Sequence, residues 1–348
     1  MTALRLIGVI AALWVFVLAV RAHARRRISR LSLLIVTGLA LVLSALSLSP
    51  VLFEPVFGWF DVAKGQERRL IFVLTIGSLV LLLLVLRAQS HADENERAMR
   101  LLVEALGRER FDWARAAALP EGRRLVVVSP AFNEAENVAA VVVALPEEIS
   151  GLRVISVVVS DGSQDDTAQV ARRAGALVAE LPIRRGGGLA LRVGYEIALQ
   201  LGAEIVVTMD ADGQHRADEL PVMIGPILDG RADYVNGSRV LGEFERDALI
   251  RHVGVHVFSR LVTVLTGRRI TDPSSGYRAA RADLLRRLVL QQDQFWTSEI
   301  LIEALRHRAK VIEVPVTIVA RTGGMTKKPK SLRYGWNFSK VIIQTWLR

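Results

Sequence analysis

Two carboxylates and an amide stand close together in Asp210-Ala-Asp212-Gly-Gln214, directly after the apolar run Ile205-Val-Val-Thr-Met209. Carboxylate and amide oxygens suit a hard cation, Mg2+ or Mn2+, and such ions keep coordination positions open for substrate phosphates. Taken alone, an Asp-x-Asp is more often an acidic turn that caps the following helix. The preceding run reads as a buried strand, which delivers these groups to its carboxyl end, the edge at which open α/β sheets bind ligands.

Two more loops fall at the same edge. One is Ser129-Pro130-Ala131-Phe132-Asn133-Glu134, and the other begins Ser160-Asp161-Gly162-Ser163 and runs to Thr167. An Asp at that edge can accept a hydrogen bond from a nucleobase imide or a ribose hydroxyl, while Gly162 permits a tight turn into a helix. Singly, each loop also reads as a helix cap through Ser163 or Asp165.

These groups need a frame to hold them, and from Arg124 short apolar runs alternate with amphipathic stretches, the pattern of a largely parallel sheet. Strands are expected at Leu125 to Val128, Val154 to Val159, Leu177 to Leu181, Ile205 to Met209 and Tyr234 to Asn236, with a last helix and strand through Ile300 to Val316. Helices are expected over Glu134 to Leu145, Asp165 to Ala174, Leu189 to Leu201, from Ala217, and from about Ala248 to Leu265.

Pro130 to Asn137, Asp161 to Thr167 and Asp210 to His215, in this order and spacing, resemble family-2 glycosyltransferases of the GT-A fold, an α/β class. Gly237-Ser238-Arg239 and Ile270-Thr-Asp272-Pro-Ser-Ser275-Gly276-Tyr277-Arg278 resemble the polyprenol-phosphate branch of that family, similar to dolichol-phosphate mannose synthase. The resemblance covers about Arg124 to Arg348. It implies a divalent ion, Mg2+ or Mn2+, held by Asp212, Gln214 and Asp210, which neutralises a leaving nucleoside diphosphate. It implies nucleotide-sugar contacts, UDP- or GDP-linked, at Pro130, Ala131, Phe132, Glu134, Asp161, Gly188, Asp210, Ala211 and Lys327. Arg239, Arg251 and Ser275 match where the family binds the acceptor phosphate, and an arginine fork suits phosphate better than a lysine does. Catalysis would rest on Asp210, Asp212 and Arg239 by positioning and charge stabilisation, with inversion at the anomeric carbon.

Three positions depart from the family's pattern. Ser160-Asp161 stands where relatives often carry adjacent acids. Gly186-Gly187-Gly188 stands where many carry Gly-Lys-Gly, which leaves backbone amides and Arg184 or Arg185 to meet phosphate. Gly324-Met325-Thr326-Lys327 replaces a Gly-Glu-Ser-Lys. His215 reads as a loop residue near the site, not a base.

The 348 residues are 51% hydrophobic, and the excess is local. Leu6 to Val20, Leu31 to Phe53 and Leu70 to Leu86 carry no charge and approach or reach the length a bilayer demands, so three transmembrane helices are expected within residues 1–88. A cleavable signal ending at Ala22-His-Ala24 is the competing reading, and Arg25-Arg26-Arg27 argues against it. The arginines from Arg21 to Arg30 make a cytoplasmic loop by the positive-inside rule, placing the catalytic part on the cytoplasmic side of a multi-pass cell-membrane protein. Residues 89–122 read as a linker helix, with Met99, Leu102, Val103, Leu106 and Phe111 loosely on one face, best taken as a connector packed on the next domain, with a homo-oligomer (dimer) contact or a membrane-lying helix as the alternatives. The catalytic domain is expected over 123–320, and 321–348 as a basic amphipathic segment that lies at the interface, docks on the catalytic domain, or does both.

The formal charge of +10 gathers beside the apolar segments and at the C-terminus, which suits an anionic lipid surface, and no nucleic-acid motif is present. Absence of cysteine excludes disulfides, thiolate metal sites and cysteine nucleophiles. Two other functions compete. A processive polysaccharide synthase would share the nucleotide site, but Gln294-Phe-Trp296 lacks the arginine of its Gln-x-x-Arg-Trp element. A sugar-nucleotide sensor or membrane scaffold without catalysis is the non-enzymatic alternative, and a dinucleotide oxidoreductase is disfavoured because no G-x-G-x-x-G follows the first strand.

Overall fold

The structure is a computed structural model that describes residues 3–24, 30–48, 66–242, 249–319 and 332–347. It divides into two compact units, Met1–Glu94 and Asn95–Arg348.

In the first unit the apolar stretches form helices Ala3–Ala24 and Arg30–Leu48 and the start of Gln66–Glu109. The first two pack together, with Ala12, Ala19 and Ala40 buried, small side chains that let helix backbones approach closely. Large side chains face outward instead: Leu13, Trp14, Leu34, Leu41 and Leu81 are all exposed. Among the described residues no helix is long and apolar enough to cross a membrane, so the expectation of three spans finds no support there.

The second unit is built on an eight-stranded sheet. Its strands are β1 (Arg124–Ala131), β2 (Glu148–Ile149), β3 (Leu152–Asp161), β4 (Leu177–Leu181), β5 (Ala203–Thr208), β6 (Tyr234–Ser238), β7 (Arg278–Arg281) and β8 (Val311–Pro315). The order is β2-β3-β1-β5-β7-β6-β8, with β4 paired to β3. Pairing is parallel for β1 with β3, β1 with β5, β3 with β4 and β6 with β8. The short β2 and the inserted β7 run antiparallel to their neighbours.

Side chains alternate across a strand, and here both faces are covered. Val126 and Val128 of β1 join Val157, Val159 and Val206 in a core with helix Gly187–Gln200, through Leu189, Val193 and Ile197. Leu125 and Val127 point the other way, onto Leu220, Met223 and Ile224 of helix Leu220–Leu228. Each fully buried Val or Leu of this kind contributes about 1.5–3 kcal/mol. The near-continuous apolar character of β1, β3 and β5 follows from this double burial.

Strand β7 escapes the apolar pattern, because Arg278-Ala-Ala-Arg281 carries two arginines. Arg278 is nevertheless buried: it donates from Nε to the Ser275 carbonyl at 2.8 Å, and from its two Nη atoms to the Tyr234 hydroxyl at 2.7 Å and the Pro273 carbonyl at 3.0 Å. Those bonds meet the cost of burying its polar groups. The helix expected over Glu134 to Leu145 spans only Val138–Val143, because the preceding residues are tied into a loop, with Glu134 N donating to Thr167 Oγ1 at 2.8 Å.

The linker is the end of helix Gln66–Glu109 followed by Trp113–Ala117. Val103, Glu104 and Phe111 are buried while Met99 and Leu102 are exposed, so the packed face is turned from the purely apolar one expected. The cause is a carboxylate: Glu104 accepts from Arg192 Nε at 2.7 Å, which brings a polar residue to the seam. At the other end, helix Leu332–Leu347 docks Phe338, Val341 and Ile342 inward, with Phe338 4.3 Å from Phe258 and 5.5 Å from Phe295 between ring centroids. Its opposite face exposes Trp336, Ile343 and Trp346.

Candidate active site

The carboxyl ends of β1, β3 and β5 lie side by side and carry the three loops that the sequence singles out. After β5, the chain turns through Asp210 to Gln214. Asp212 accepts the Gln214 amide at 3.1 Å, and Asp210 N donates to His215 Nδ1 at 3.1 Å. Acceptance at Nδ1 puts the proton of a neutral imidazole on Nε2. The ring stacks on Tyr277 at 5.0 Å, and the Tyr277 hydroxyl donates to the Arg216 carbonyl at 3.0 Å. His215 is therefore a brace that sets the start of the acidic turn. Gln214 is fixed as well: its Nε2 donates to the Val319 carbonyl at 3.2 Å, and its own carbonyl accepts from Val319 N at 3.0 Å. With the amide nitrogen so engaged, Oε1 is the atom left to serve as a ligand.

The loop from Thr271 to Tyr277 lies against this turn. A methyl group in place of the Gly276 hydrogen would stand 2.8 Å from Asp210 Oδ2 and 3.0 Å from Oδ1, so any side chain there would push this carboxylate aside. The same loop is anchored from β8 and β6. Glu313 accepts from Thr271 N at 2.6 Å, Asp272 N at 3.2 Å and Asn236 Nδ2 at 2.9 Å, and Ser238 and Thr271 share a hydroxyl bond of 2.6 Å.

Arg239, just after β6, is bound at both ends of its fork by Asp272. Nε lies 2.6 Å from Oδ2 and Nη2 lies 2.8 Å from Oδ1, with Nη2 also 2.6 Å from Ser274 Oγ. Burial pushes the Asp272 carboxyl up, but the bonds and charge of Arg239 outweigh it and hold the group below the usual carboxylate range. Ser275 is buried beside them, its hydroxyl accepting the Tyr277 amide at 3.3 Å. The partner Asp272 was missed by sequence reasoning; its motif gave the residue but no sign that it would pair with Arg239. Glu313 had a signal, a lone carboxylate inside the apolar strand β8.

At the far side of this edge, Pro130 and Ala131 close β1, Phe132 follows directly, and Glu134 is buried with Oε2 accepting from Asn137 Nδ2 at 2.9 Å. The loop after β3 is laced to that after β1: Gln164 N donates to Asn133 Oδ1 at 2.8 Å, and Ala135 N to Asp165 Oδ2 at 3.2 Å. Asp161 is buried, and its carboxylate accepts the amides of Arg185 at 2.8 Å and Gly186 at 2.7 Å. Burial raises its pKa, with those two amides and Arg184 opposing. Asp161 thus bolts down the glycine-rich loop, a task beyond the ribose or base contact that the resemblance implies.

That loop is shaped by a protein neighbour. Gly188 N donates to the Asp293 carbonyl at 2.8 Å, and a methyl group at Gly188 would stand 2.0 Å from the Gln292 carbonyl oxygen. Close approach of chain 292–293 is the reason for glycine there. Arg184 lies with its guanidinium 3.9 Å over the Phe132 ring. Ala211 is buried inside the acidic turn. Arg251 sits near the start of helix Leu249–Thr266, and Lys327 lies outside the described residues.

For a divalent ion, Asp210, Asp212 and Gln214 offer a set of hard oxygen donors that fits Mg2+ or Mn2+ chemistry. Among the described residues no group of three His, Cys, Asp or Glu side chains assembles into a metal cage. Two carboxylates and one amide match an ion that shares its coordination with a substrate.

Comparison with known proteins agrees with this arrangement. Residues 126–289 match the profile of glycosyl transferase family 2. An uncharacterized glycosyltransferase of Mycobacterium tuberculosis is 34% identical over 212 residues, 61% of this chain and 93% of the relative. A polyprenol monophosphomannose synthase of Mycolicibacterium smegmatis is 30% identical over 234 residues, 61% of this chain and 83% of the relative. A dolichyl-phosphate hexose transferase of Haloferax volcanii is 29% identical over 226 residues, 64% of this chain and 96% of the relative. Among solved structures, glucosyl-3-phosphoglycerate synthase from Mycobacterium tuberculosis, in complex with Mn2+, UDP and glucosyl-3-phosphoglycerate, superposes with a TM-score of 0.52. It is 24% identical, and the match covers 67% of this chain and 81% of that one, a likeness of fold. With its sheet edge, its acidic turn and these relatives, the chain belongs to glycosyl transferase family 2 and is a glycosyltransferase.

Proposed function

We propose that the protein transfers a sugar, with inversion, from a UDP- or GDP-linked donor to a polyprenyl phosphate. The observation that carries this reading is the contact of Gly276 with the Asp210 carboxylate. It lays the loop of Asp272, Ser274 and Ser275, with Arg239 bound to it, directly against the acidic turn. A phosphate acceptor held by that loop would therefore stand beside the diphosphate end of a donor. The polyprenol and dolichol relatives support the choice of acceptor.

In this reading Phe132, Pro130 and Ala131 flank the base and Glu134 and Asp161 serve the ribose end, while Ala211 and Gly188 line the path of the donor, with Lys327 at the diphosphate. Asp210, Asp212 and Gln214 would hold Mg2+ or Mn2+, which supplies charge neutralisation for the departing nucleoside diphosphate. Asp272 orients Arg239 toward an acceptor phosphate, Ser275 holds its loop, and Arg251 provides a second basic contact. The acceptor phosphate is already anionic near neutral pH, so attack on the anomeric carbon requires no strong general base; position and charge do the work.

The place of reaction is part of the same proposal: a membrane surface, with the catalytic unit on its cytoplasmic side and the first unit in contact with lipid. Leu13, Trp14, Leu34 and Leu41 are each more than 60% exposed, and so many large apolar side chains facing outward call for an apolar environment. The outward side of helix Leu332–Leu347, where Trp336 lies one turn from Lys340 and Trp346 is also exposed, suits an interface.

Purified protein supplied with Mn2+ or Mg2+, isotopically labelled UDP- and GDP-sugars and undecaprenyl or decaprenyl phosphate should give a charged glycolipid in mass spectra. Folded protein that binds nucleotide yet makes no glycolipid from any donor would remove polyprenyl phosphate as acceptor. Alkaline carbonate extraction of membranes tests the lipid contact, and recovery of all protein in the soluble fraction of untreated cells would remove it.

A further inference from the structure

Three guanidinium groups converge on one carboxylate outside the acidic turn. Asp293 Oδ1 lies 2.6 Å from Arg192 Nη2 and 3.4 Å from Arg100 Nε, and its Oδ2 lies 3.2 Å from Arg185 Nη2. The arginines come from three places: Arg100 from the linker helix, Arg185 from the glycine-rich loop, and Arg192 from the helix that follows this loop. The linker adds two carboxylates of its own. Glu96 pairs with Arg185, and Glu104 with Arg192 at 2.7 Å. Between Glu96, Arg100, Arg184, Arg185 and Asp293 lies a polar cavity of about 390 Å3.

The backbone repeats this convergence. Asp293 accepts the Gly188 amide through its own carbonyl, Arg192 donates to the Gln292 carbonyl at 3.0 Å, and Arg100 donates to the Gln291 carbonyl at 2.6 Å. Glu299, fully buried, fixes the segment by accepting the amides of Gln291 and Gln292 at 2.9 Å each. The glycine-rich loop is therefore held on one side by Asp161 through its amides, and on the other by Asp293 and Glu96 through Arg185. Arg184, the next residue, rests on Phe132.

We propose that Asp293 is a positioning residue for the donor loop, and that the linker helix, through Glu96 and Arg100, sets where this loop stands against Phe132. Paired charges that are partly buried interact more strongly than exposed ones, and each pairing here has an arm in a different element. Loss of the central carboxylate would leave three guanidinium groups repelling one another around the loop. The linker helix then belongs to the donor site, in addition to joining it to the first unit. This rests on the reading of Phe132 and Gly188 as nucleotide contacts.

The test uses the full chain carrying Glu96→Gln, Arg100→Gln or Asp293→Asn. Donor KM, acceptor KM, kcat and UDP or GDP affinity by calorimetry are compared with wild type. Glu96→Gln and Arg100→Gln should raise donor KM about fivefold, and Asp293→Asn about tenfold or more, with acceptor KM unchanged. An unchanged donor KM in both linker variants overturns the proposal, and so does an equal rise in donor and acceptor KM, the sign of a merely structural role. Should Asp293→Asn fold poorly, the two linker variants, which lie at the rim, still decide the matter. Absence of nucleotide binding by the wild-type chain would instead remove the donor-site reading beneath it.

Discussion

Asp272 grips Arg239 by both arms of its guanidinium fork, at 2.6 and 2.8 Å, from a position with no solvent exposure. A planar fork fixed at two points is held in one direction, which a lysine ammonium on a flexible stem cannot reproduce. Arg239→Lys keeps the charge and loses that direction. Acceptor KM should rise about tenfold, a loss of about 1.4 kcal/mol, while donor KM stays within twofold. Steady-state kinetics with each substrate varied separately checks the split, and equal effects on both would remove Arg239 from the acceptor side.

The same pair makes stability depend on acidity. Because Arg239 holds the folded Asp272 carboxyl below its usual range, the pair's contribution is fully present above the unfolded carboxyl's titration near pH 4. It is lost as pH falls from there through the lower folded value. Thermal melts of the wild type should therefore drop as pH is lowered below about 4. Asp272→Asn leaves Arg239 without its counter-charge and should cost about 3 kcal/mol at neutral pH. Its melts should lack the Asp272 share of the acid limb; an acid limb as steep as wild type would show that other carboxylates dominate it.

Gly276 is a second point where geometry decides. A methyl group there would press on both oxygens of Asp210, 2.8 and 3.0 Å away, and the neighbour is a carboxylate whose backbone is itself fixed through His215. Gly276→Ala should lower kcat by at least tenfold, with a loss of stability of about 1–3 kcal/mol. The assay pairs kinetics with a melting curve. Wild-type turnover in a folded Gly276→Ala variant would show that the two loops need not touch.

Donor charge chemistry predicts a hierarchy among the acids. Asp212→Asn removes a carboxylate from the candidate ion site but keeps an oxygen that can still accept the Gln214 amide, so the turn should survive. Turnover should fall by about a hundredfold or more, and excess Mn2+ should recover part of it. Chelation by EDTA should silence the wild type reversibly, with either Mg2+ or Mn2+ tested for restoration. Full activity in EDTA would exclude the ion from the reaction.

How far the chain could be read from its sequence depends on which interactions are local. Strands β1, β3 and β5 are legible because both faces are buried and each holds an unbroken run of Val, Leu or Ile, and β4 is legible by its apolar residues around Glu180. The acidic turn is legible because it follows such a strand. Strand β7 is not, since Arg278 owes its place to acceptors at Ser275, Tyr234 and Pro273, which only the folded chain assembles. The same holds for Asp293: an acid among glutamines gives no sign that Arg100, Arg185 and Arg192, between 101 and 193 positions away from it in sequence, will meet there. Arg239 was legible by motif, but its partner Asp272 was not, because pairing over 33 residues requires the anchor from Glu313.

His215 provides the last prediction. Its Nδ1 accepts the Asp210 amide at 3.1 Å, and its ring stacks on Tyr277, so it fixes the first acid of the turn from two sides. In His215→Ala the Asp210 amide loses its acceptor, an omission that costs about 1–3 kcal/mol where water does not replace it. In His215→Asn a side-chain oxygen can stand near the vacated nitrogen and accept the same bond. If His215 is a brace, alanine should lower kcat by about tenfold or more and asparagine should retain most activity, with the same pH dependence as wild type. If it were a proton-transferring base, both variants would fail equally and the pH profile would lose a limb. Turnover of the two variants across pH 5.5 to 9 therefore separates support of the turn from acid-base chemistry.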